Sequence, residues 1–200
     1  MTARPAPAAV LFDLGGVLLP FDREQRIATL VERFACTTEA ARTFMASDIH
    51  QRLDTGEANE FDLAAAFSAY FGRHVSPVAA MDLVLSVFET PNYELWDLAD
   101  ALRERAVVGG FSDNPAFVDA VFPMTAFLDP MFFSSRIRAC KPAPEAFAAV
   151  EAGLGVAPAE ILFIDDTAAN VDAARARGWD AIVFTSNAQL IAELAERGLP

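Results

Sequence analysis

Apolar and polar residues fall into two regimes along the chain. Residues 8–12 form a short, continuous apolar run that stops at Asp13, and Leu14-Gly15-Gly16 follows as a turn. Such a run reads as a parallel strand buried on both faces. From Asp22 to about Leu102 the spacing is helical instead. Asp22-Arg23-Glu24-Gln25 has the form of a capping box, and Ile27, Leu30, Val31 and Phe34 follow at helical intervals. Asn59 precedes Phe61, Ala64, Ala65 and Phe67. Ser76-Pro77 is an N-cap with a first-turn proline, and Asn92 opens a segment with Leu95, Leu98, Ala99 and Leu102 on one face.

Beyond these helices the pattern alternates. Residues 107–111, 131–133, 161–164 and 181–184 read as strands. Helices are predicted from Asn114-Pro115, over 144–152 with Gly153 as C-cap, over 171–177 ending at Gly178, and after a Ser186 cap. Alternation of this kind predicts an α/β fold: a Rossmann-like parallel sheet core, interrupted after its first strand by a small α-helical insert. The expected core takes residues 1–20 and 97–200, and the insert residues 21–96.

Composition narrows the function classes. The 200 residues are 54% hydrophobic and 22% charged, which is globular rather than disordered. A net charge of −13 repels nucleic acid and anionic membranes, so neither is expected as a partner. No stretch approaches the roughly 18 apolar residues of a membrane span. The apolar run behind Arg4 is too short for the hydrophobic segment of a signal peptide. Cys36 and Cys140 form no CxxC pair, which argues against a disulfide framework or a zinc site and fits a reducing cytoplasm.

In a sheet of this type ligands bind beyond the carboxyl ends of the strands. Asp13 follows the first strand, Ser112-Asp113-Asn114 the second, and Asp165-Asp166 the run 161–164. Acids converging there repel one another unless a divalent cation sits among them, and an oxygen-only donor set suits Mg²⁺. Asp13 alone reads equally as a turn former. Lys141 is the only lysine; the other basic residues that make up the 15 are arginines. A compact ammonium is well suited to neutralising both a carboxylate and a phosphate. His50 and His74 read as exposed or satisfied helix residues, and the Trp and Phe residues as core.

Together these residues resemble the haloacid dehalogenase superfamily. Phe12-Asp13-Leu14-Gly15-Gly16-Val17-Leu18 is similar to its first motif and Phe111-Ser112-Asp113-Asn114 to its second. Lys141-Pro142, with Pro144-Glu145 and Phe147, resembles the third, and Phe163-Ile164-Asp165-Asp166-Thr167, with Asn170 and Gly178-Trp179, the fourth. The insert lies where the family carries a cap domain, and the chain most resembles small sugar-phosphate phosphatase-like members with a helical cap.

The resemblance implies a Mg²⁺-dependent phosphohydrolase working through an aspartyl-phosphate. Asp13 would be the nucleophile, with Ser112 and Lys141 also catalytic. Gly16, Asp113 and Asn114 would contact substrate. The metal would be held by Asp13, the Gly15 carbonyl and Asp165 or Asp166. The ligand would be a small phosphorylated metabolite such as a sugar phosphate, and the protein a monomer or homodimer. The polar stretch Asp48, His50, Gln51, Arg52, Asp54-Thr55-Gly56-Glu57 would face it from the cap.

Two departures stand out. Family phosphatases commonly carry a second Asp where this chain has Gly15, so the leaving group lacks its usual proton donor. Rate should then depend steeply on leaving-group acidity, unless a rival such as Asp22 donates. Asp113 stands where many relatives carry Asn; it either adds charge beside the phosphate or serves as an acid at a helix start. A 2-haloacid dehalogenase and a catalytically idle binding protein are the alternatives.

Overall fold

The computed structural model describes residues 6–86, 88, 91–121 and 126–200; Arg4 and the start of the N-terminal reading lie outside them. Its centre is a five-stranded, all-parallel sheet of β1 (Ala9–Phe12), β2 (Val107–Ser112), β3 (Met131–Phe133), β4 (Ile161–Asp165) and β5 (Asp180–Val183), in the order β3-β2-β1-β4-β5. The chain leaves β1 toward one edge and returns to its other side as β4. The crevice between β1, β2 and β4 is therefore the topological switch point. Phe12 pairs with Gly110 on one side and Ile164 on the other, which brings Asp13, Ser112 and Asp165 out at nearly one level.

Side-chain alternation explains the two cores. Val10 and Phe12 of β1, with Leu162 and Ile164 of β4, point to the face shared with the insert. Leu11, Phe111, Ile161 and Phe163 point to the other face, against α9 (Pro144–Leu154) and α10 (Ala168–Ala176). There Phe111, Phe147, Phe163 and Trp179 pack mostly edge to face, with centroids 5.3–6.5 Å apart. That geometry suits the aromatic quadrupole.

Between β1 and β2, apart from the isolated bridges Gly15–Leu19 and Phe21–Phe88, the regular elements of the described residues are helices: α1 (Arg23–Phe34), α2 (Thr38–Met45), α3 (Asp48–Asp54), α4 (Glu60–Phe71), α5 (Pro77–Leu85) and α6 (Tyr93–Leu102). Their starts follow the polar signals. Asp22 accepts from the Glu24 and Gln25 amides, Asn59 and Asp62 form a full capping box, and Ser76 accepts from Ala79. The short α2 and α3 have too few turns for a clear periodic stripe in the sequence. Helix α6, which spans residues 96 and 97, packs on β2. Helix α7 (Phe117–Val121) follows β2, α8 (Ser134–Ile137) follows β3, and α11 (Asn187–Glu196) is the last element.

Two expected helix signals act otherwise. Asn114-Pro115 does not start α7, which begins at Phe117, because Asn114 is engaged elsewhere: its amide N donates to Ser134 Oγ and its side chain to Ser112 Oγ. Gly153 lies inside α9, and the C-cap is Gly155 at φ 67°. Gly153 is instead a close-approach glycine, since a Cβ there would stand 2.5 Å from the Phe132 ring. No helix among the described residues is long and apolar enough to cross a membrane.

Candidate active site

The turn after β1 places the first acid. Asp13 N donates to Ile164 O at 2.8 Å, and its Oδ1 accepts from Leu14 N at 2.7 Å and from Ser112 Oγ at 2.6 Å. Its Oδ2 lies 3.0 Å from Lys141 Nζ. Ser112 accepts in turn from Asn114 Nδ2 at 2.9 Å. Lys141 is buried over the Phe111 and Phe163 rings, 5.2 and 5.3 Å from their centroids. Its ammonium also reaches Asp165 Oδ2 at 2.7 Å and Phe111 O at 3.0 Å. Three donors thus meet three acceptors.

Asp165 is fully buried. It accepts from Thr167 N at 2.8 Å and from Asn170 Nδ2 at 3.1 Å to each oxygen. Asp166 is exposed, and carboxylate oxygens of Asp13, Asp165 and Asp166 lie within 4.8 Å of one another. One ammonium cannot neutralise this set. Burial pushes the Asp13 carboxyl up to about 7 against the pull of Lys141, and Asp165 adds to the rise. Burial and Asp165 likewise raise Asp166. Burial opposes the charge on Lys141, yet Asp13, Asp165 and Asp113 hold it above its ordinary value. The uncompensated negative charge and the all-oxygen donors fit a hard divalent cation.

Asp13, Ser112, Lys141, Asp166 and Asn170 form one wall of a cavity of about 450 Å³, with Asp165 buried behind them. Gly15, Asp113 and Asn114 share it, with Asp113 Oδ1 accepting from Lys141 N at 3.2 Å. Gly16 is not on the wall: its amide is used by Leu19 O at 2.9 Å. It has φ +80°, and a Cβ there would sit 2.2 Å from Asp166 Oδ2, so glycine is required by the turn and by the acid beside it. Gly15, by contrast, has open space around a built Cβ.

The opposite wall comes from the insert. Of the polar stretch in α3 only His50 and Asp54 reach the cavity, each one helical turn from the other, while Asp22 caps α1 at the surface and does not line it. Sequence reasoning missed Arg23 and Arg26 of α1 and the aromatic pair Phe21 and Phe88, whose centroids lie 6.3 Å apart. Phe21, exposed at 38%, therefore lines the site rather than filling a core, and Phe88 lines it while packing against the core. The available signal was position: residues 21–26 follow the Asp13 turn directly, so the first turn of α1 must overhang it. Arg26 donates to Val84 O at 2.9 Å, but its Nε and His50 Nε2 are buried without partners among the described residues. Burial, helped by Arg26, pushes His50 down to about 4. Burial and Asp113 push Asp54 up to about 7, against Arg26.

A family model of haloacid dehalogenase-like hydrolases matches residues 7–178. The chain belongs to the haloacid dehalogenase-like hydrolases. D-ribitol-5-phosphate phosphatase of Bacteroides thetaiotaomicron is 22% identical to this hydrolase over 182 residues, 86% of this chain and 88% of its own. A family enzyme from the same organism, solved with magnesium and inorganic phosphate, is 25% identical at TM-score 0.79, over 91% of this chain and 96% of that one. A predicted family hydrolase of Porphyromonas gingivalis has the same fold, at TM-score 0.85 and 24% identity over 96% and 98% of the two chains. L-2-haloacid dehalogenase of Xanthobacter autotrophicus, solved with chloropropionic acid covalently bound, shares the fold at TM-score 0.62 and 20% identity, over 97% and 84%.

Proposed function

We propose that this hydrolase is a Mg²⁺-dependent phosphatase of a small phosphorylated metabolite, with sugar and polyol phosphates as the class to test first. The observation that carries the reading is the single crevice in which Asp13, Ser112 and Lys141 meet Asp165 and Asp166. The relatives named a phosphatase or solved with magnesium and phosphate support it. Asp13, the Gly15 carbonyl and an acid of β4 or the residue after it would hold the metal. Asp166 suits direct ligation better than Asp165, whose oxygens are already taken by Lys141, Thr167 and Asn170. Bound Mg²⁺ supplies charge neutralisation for phosphate and carboxylates.

Asp13 attacks phosphorus in line and forms an aspartyl-phosphate, which water then cleaves. Ser112 positions Asp13 through its 2.6 Å hydrogen bond, and on substrate binding its single O–H would turn from Asp13 to a phosphoryl oxygen. Lys141 holds its positive charge between nucleophile and Asp165, where charge accumulates in the transition state. Asn114 fixes the serine hydroxyl, and the Asp113 side chain braces the Lys141 backbone. The residue 21–96 segment acts as the cap over this site, and free Cys36 and Cys140 suit a reducing cytoplasm.

Hydrolysis of 4-nitrophenyl phosphate and of a panel of sugar phosphates should require Mg²⁺ and vanish in EDTA. Asp13→Asn should be inactive yet folded. Full activity in chelator, or chloride release from a 2-chloro acid without metal, would overturn the reading.

A further inference from the structure

The geometry assigns a proton donor on the insert wall. Resting on the phosphatase reading, we propose that the Asp54 carboxyl protonates the departing oxygen of the substrate. In an in-line displacement the leaving oxygen lies on the far side of phosphorus from the nucleophile. With Asp13 at the strand ends, that side is the wall built by α1 and α3, where Arg23, Arg26, His50 and Asp54 stand.

The other carboxyls in or beside the cavity are committed. Asp165 takes four hydrogen bonds, Asp113 takes the Lys141 amide, Asp166 sits in the acid cluster, and Gly15 brings no side chain. Asp22 accepts from two amides at the start of α1. Asp54 is the only carboxyl among the described cavity residues of the insert, and it takes no hydrogen bond from them.

Its neighbours keep it a carboxylic acid near neutrality. Burial raises it to about 7, with Asp113 facing it from the end of β2, while Arg26 of α1 opposes the rise. Cys140 lies close enough to feel the same two acids, and Arg23 also lines the cavity. The rival donors fail for chemical reasons: burial holds His50 unprotonated, with a value of about 4, and guanidinium groups do not give up protons.

In the first step the Asp13 Oδ–P bond forms and the P–O bond to the alcohol breaks. The Asp54 proton passes to that oxygen, leaving Asp54 as carboxylate. In the second step water attacks phosphorus, its proton returns to Asp54, and the Asp13–P bond breaks to release phosphate.

The test is single-turnover release of the leaving group from a series of phosphate esters, run with Mg²⁺ for the wild type and Asp54→Asn. We expect a shallow dependence on leaving-group acidity in the wild type and a steep one in the variant. Asp54→Asn should lose about 10²-fold or more on a primary-alcohol sugar phosphate and less than about 3-fold on 4-nitrophenyl phosphate, the good leaving group reporting that the site is intact. The alkaline limb near pH 7 on the alkyl ester should disappear in the variant. An unchanged ratio of alkyl to aryl rates, or equal losses on both, would overturn the assignment while leaving the phosphatase reading in place. A folded wild type that hydrolyses no phosphate ester would overturn that reading, and this assignment with it.

Discussion

Replacing Lys141 should damage stability and chemistry together. Its side chain is 1% exposed, and the ammonium serves Asp13 Oδ2, Asp165 Oδ2 and Phe111 O, all within 3.0 Å. Lys141→Ala leaves two buried carboxylates facing each other with no cation between them. Removing one partner of a buried pair costs about 3–5 kcal/mol. In EDTA that corresponds to a fall of roughly 1–2 M in the urea midpoint, at a slope of about 3 kcal/mol/M. Activity with saturating Mg²⁺ should drop about 10²–10³-fold, the usual loss when one fixed charge-stabilising group is removed. Lys141→Arg should be nearly as damaging. A planar fork cannot meet three acceptors arranged around a point, nor fit easily between the Phe111 and Phe163 rings. The assays are urea unfolding in chelator and steady-state rates with 4-nitrophenyl phosphate. A Lys141→Arg enzyme within tenfold of wild type, or a Lys141→Ala midpoint unchanged in EDTA, would show that the ammonium is not the counter-charge of this site.

Further outcomes follow from the same geometry. Gly16→Ala should raise the Mg²⁺ concentration needed for half-maximal activity, since its Cβ displaces Asp166, whereas Gly15→Ala should leave it close to wild type. Mg²⁺ at a hundredfold its dissociation constant should stabilise the wild type by about 2.7 kcal/mol, or roughly 5–10 °C in a chain of this length. Asp166→Ala should lose that response, which calorimetry reads without any turnover. Asp54 also links stability to pH. An acid whose folded value lies above its unfolded one binds its proton more tightly when folded, so the stability it adds is whole below about pH 4. That stability is lost as pH rises through about 7. Asp54→Asn should therefore gain on the wild type between pH 4 and 8, by up to about 4 kcal/mol; equal pH profiles in urea unfolding would contradict the burial of that carboxyl.

Much of the site was legible because its residues are tied to strand ends. A short apolar run that stops at a polar residue marks both a buried strand and the side of the sheet where ligands bind. Asp13, Ser112 and Asp165 could thus be placed in one crevice before any coordinates, and the single lysine stood out by its rarity. The signals that misled were local ones with two physical causes. Gly153 reads as a helix stop, but glycine also permits close approach, and only the Phe132 ring shows which applies. Asn114-Pro115 reads as a helix start, but the asparagine is held by Ser112 and Ser134, twenty residues on in the second case.

The insert wall was only partly legible, for a different reason. The polar stretch around α3 was expected to face the ligand, but nothing in α3 says which of its faces meets the sheet, so His50 and Asp54 could not be told from Asp48, Gln51, Arg52 and Glu57. By itself the sequence determined the strands, the N-caps at Asp22, Asn59, Ser76 and Ser186, the parallel sheet and the acids at its edge, since those follow from local periodicity, capping chemistry and connection rules. Only the tertiary structure decided that α1 and α3 close over Asp13, which turns an ordinary aspartate into a buried acid and brings Arg26 and His50 to the same cavity. Burial and neighbouring charge set the chemistry of such groups, and both arise only when elements distant in sequence pack together.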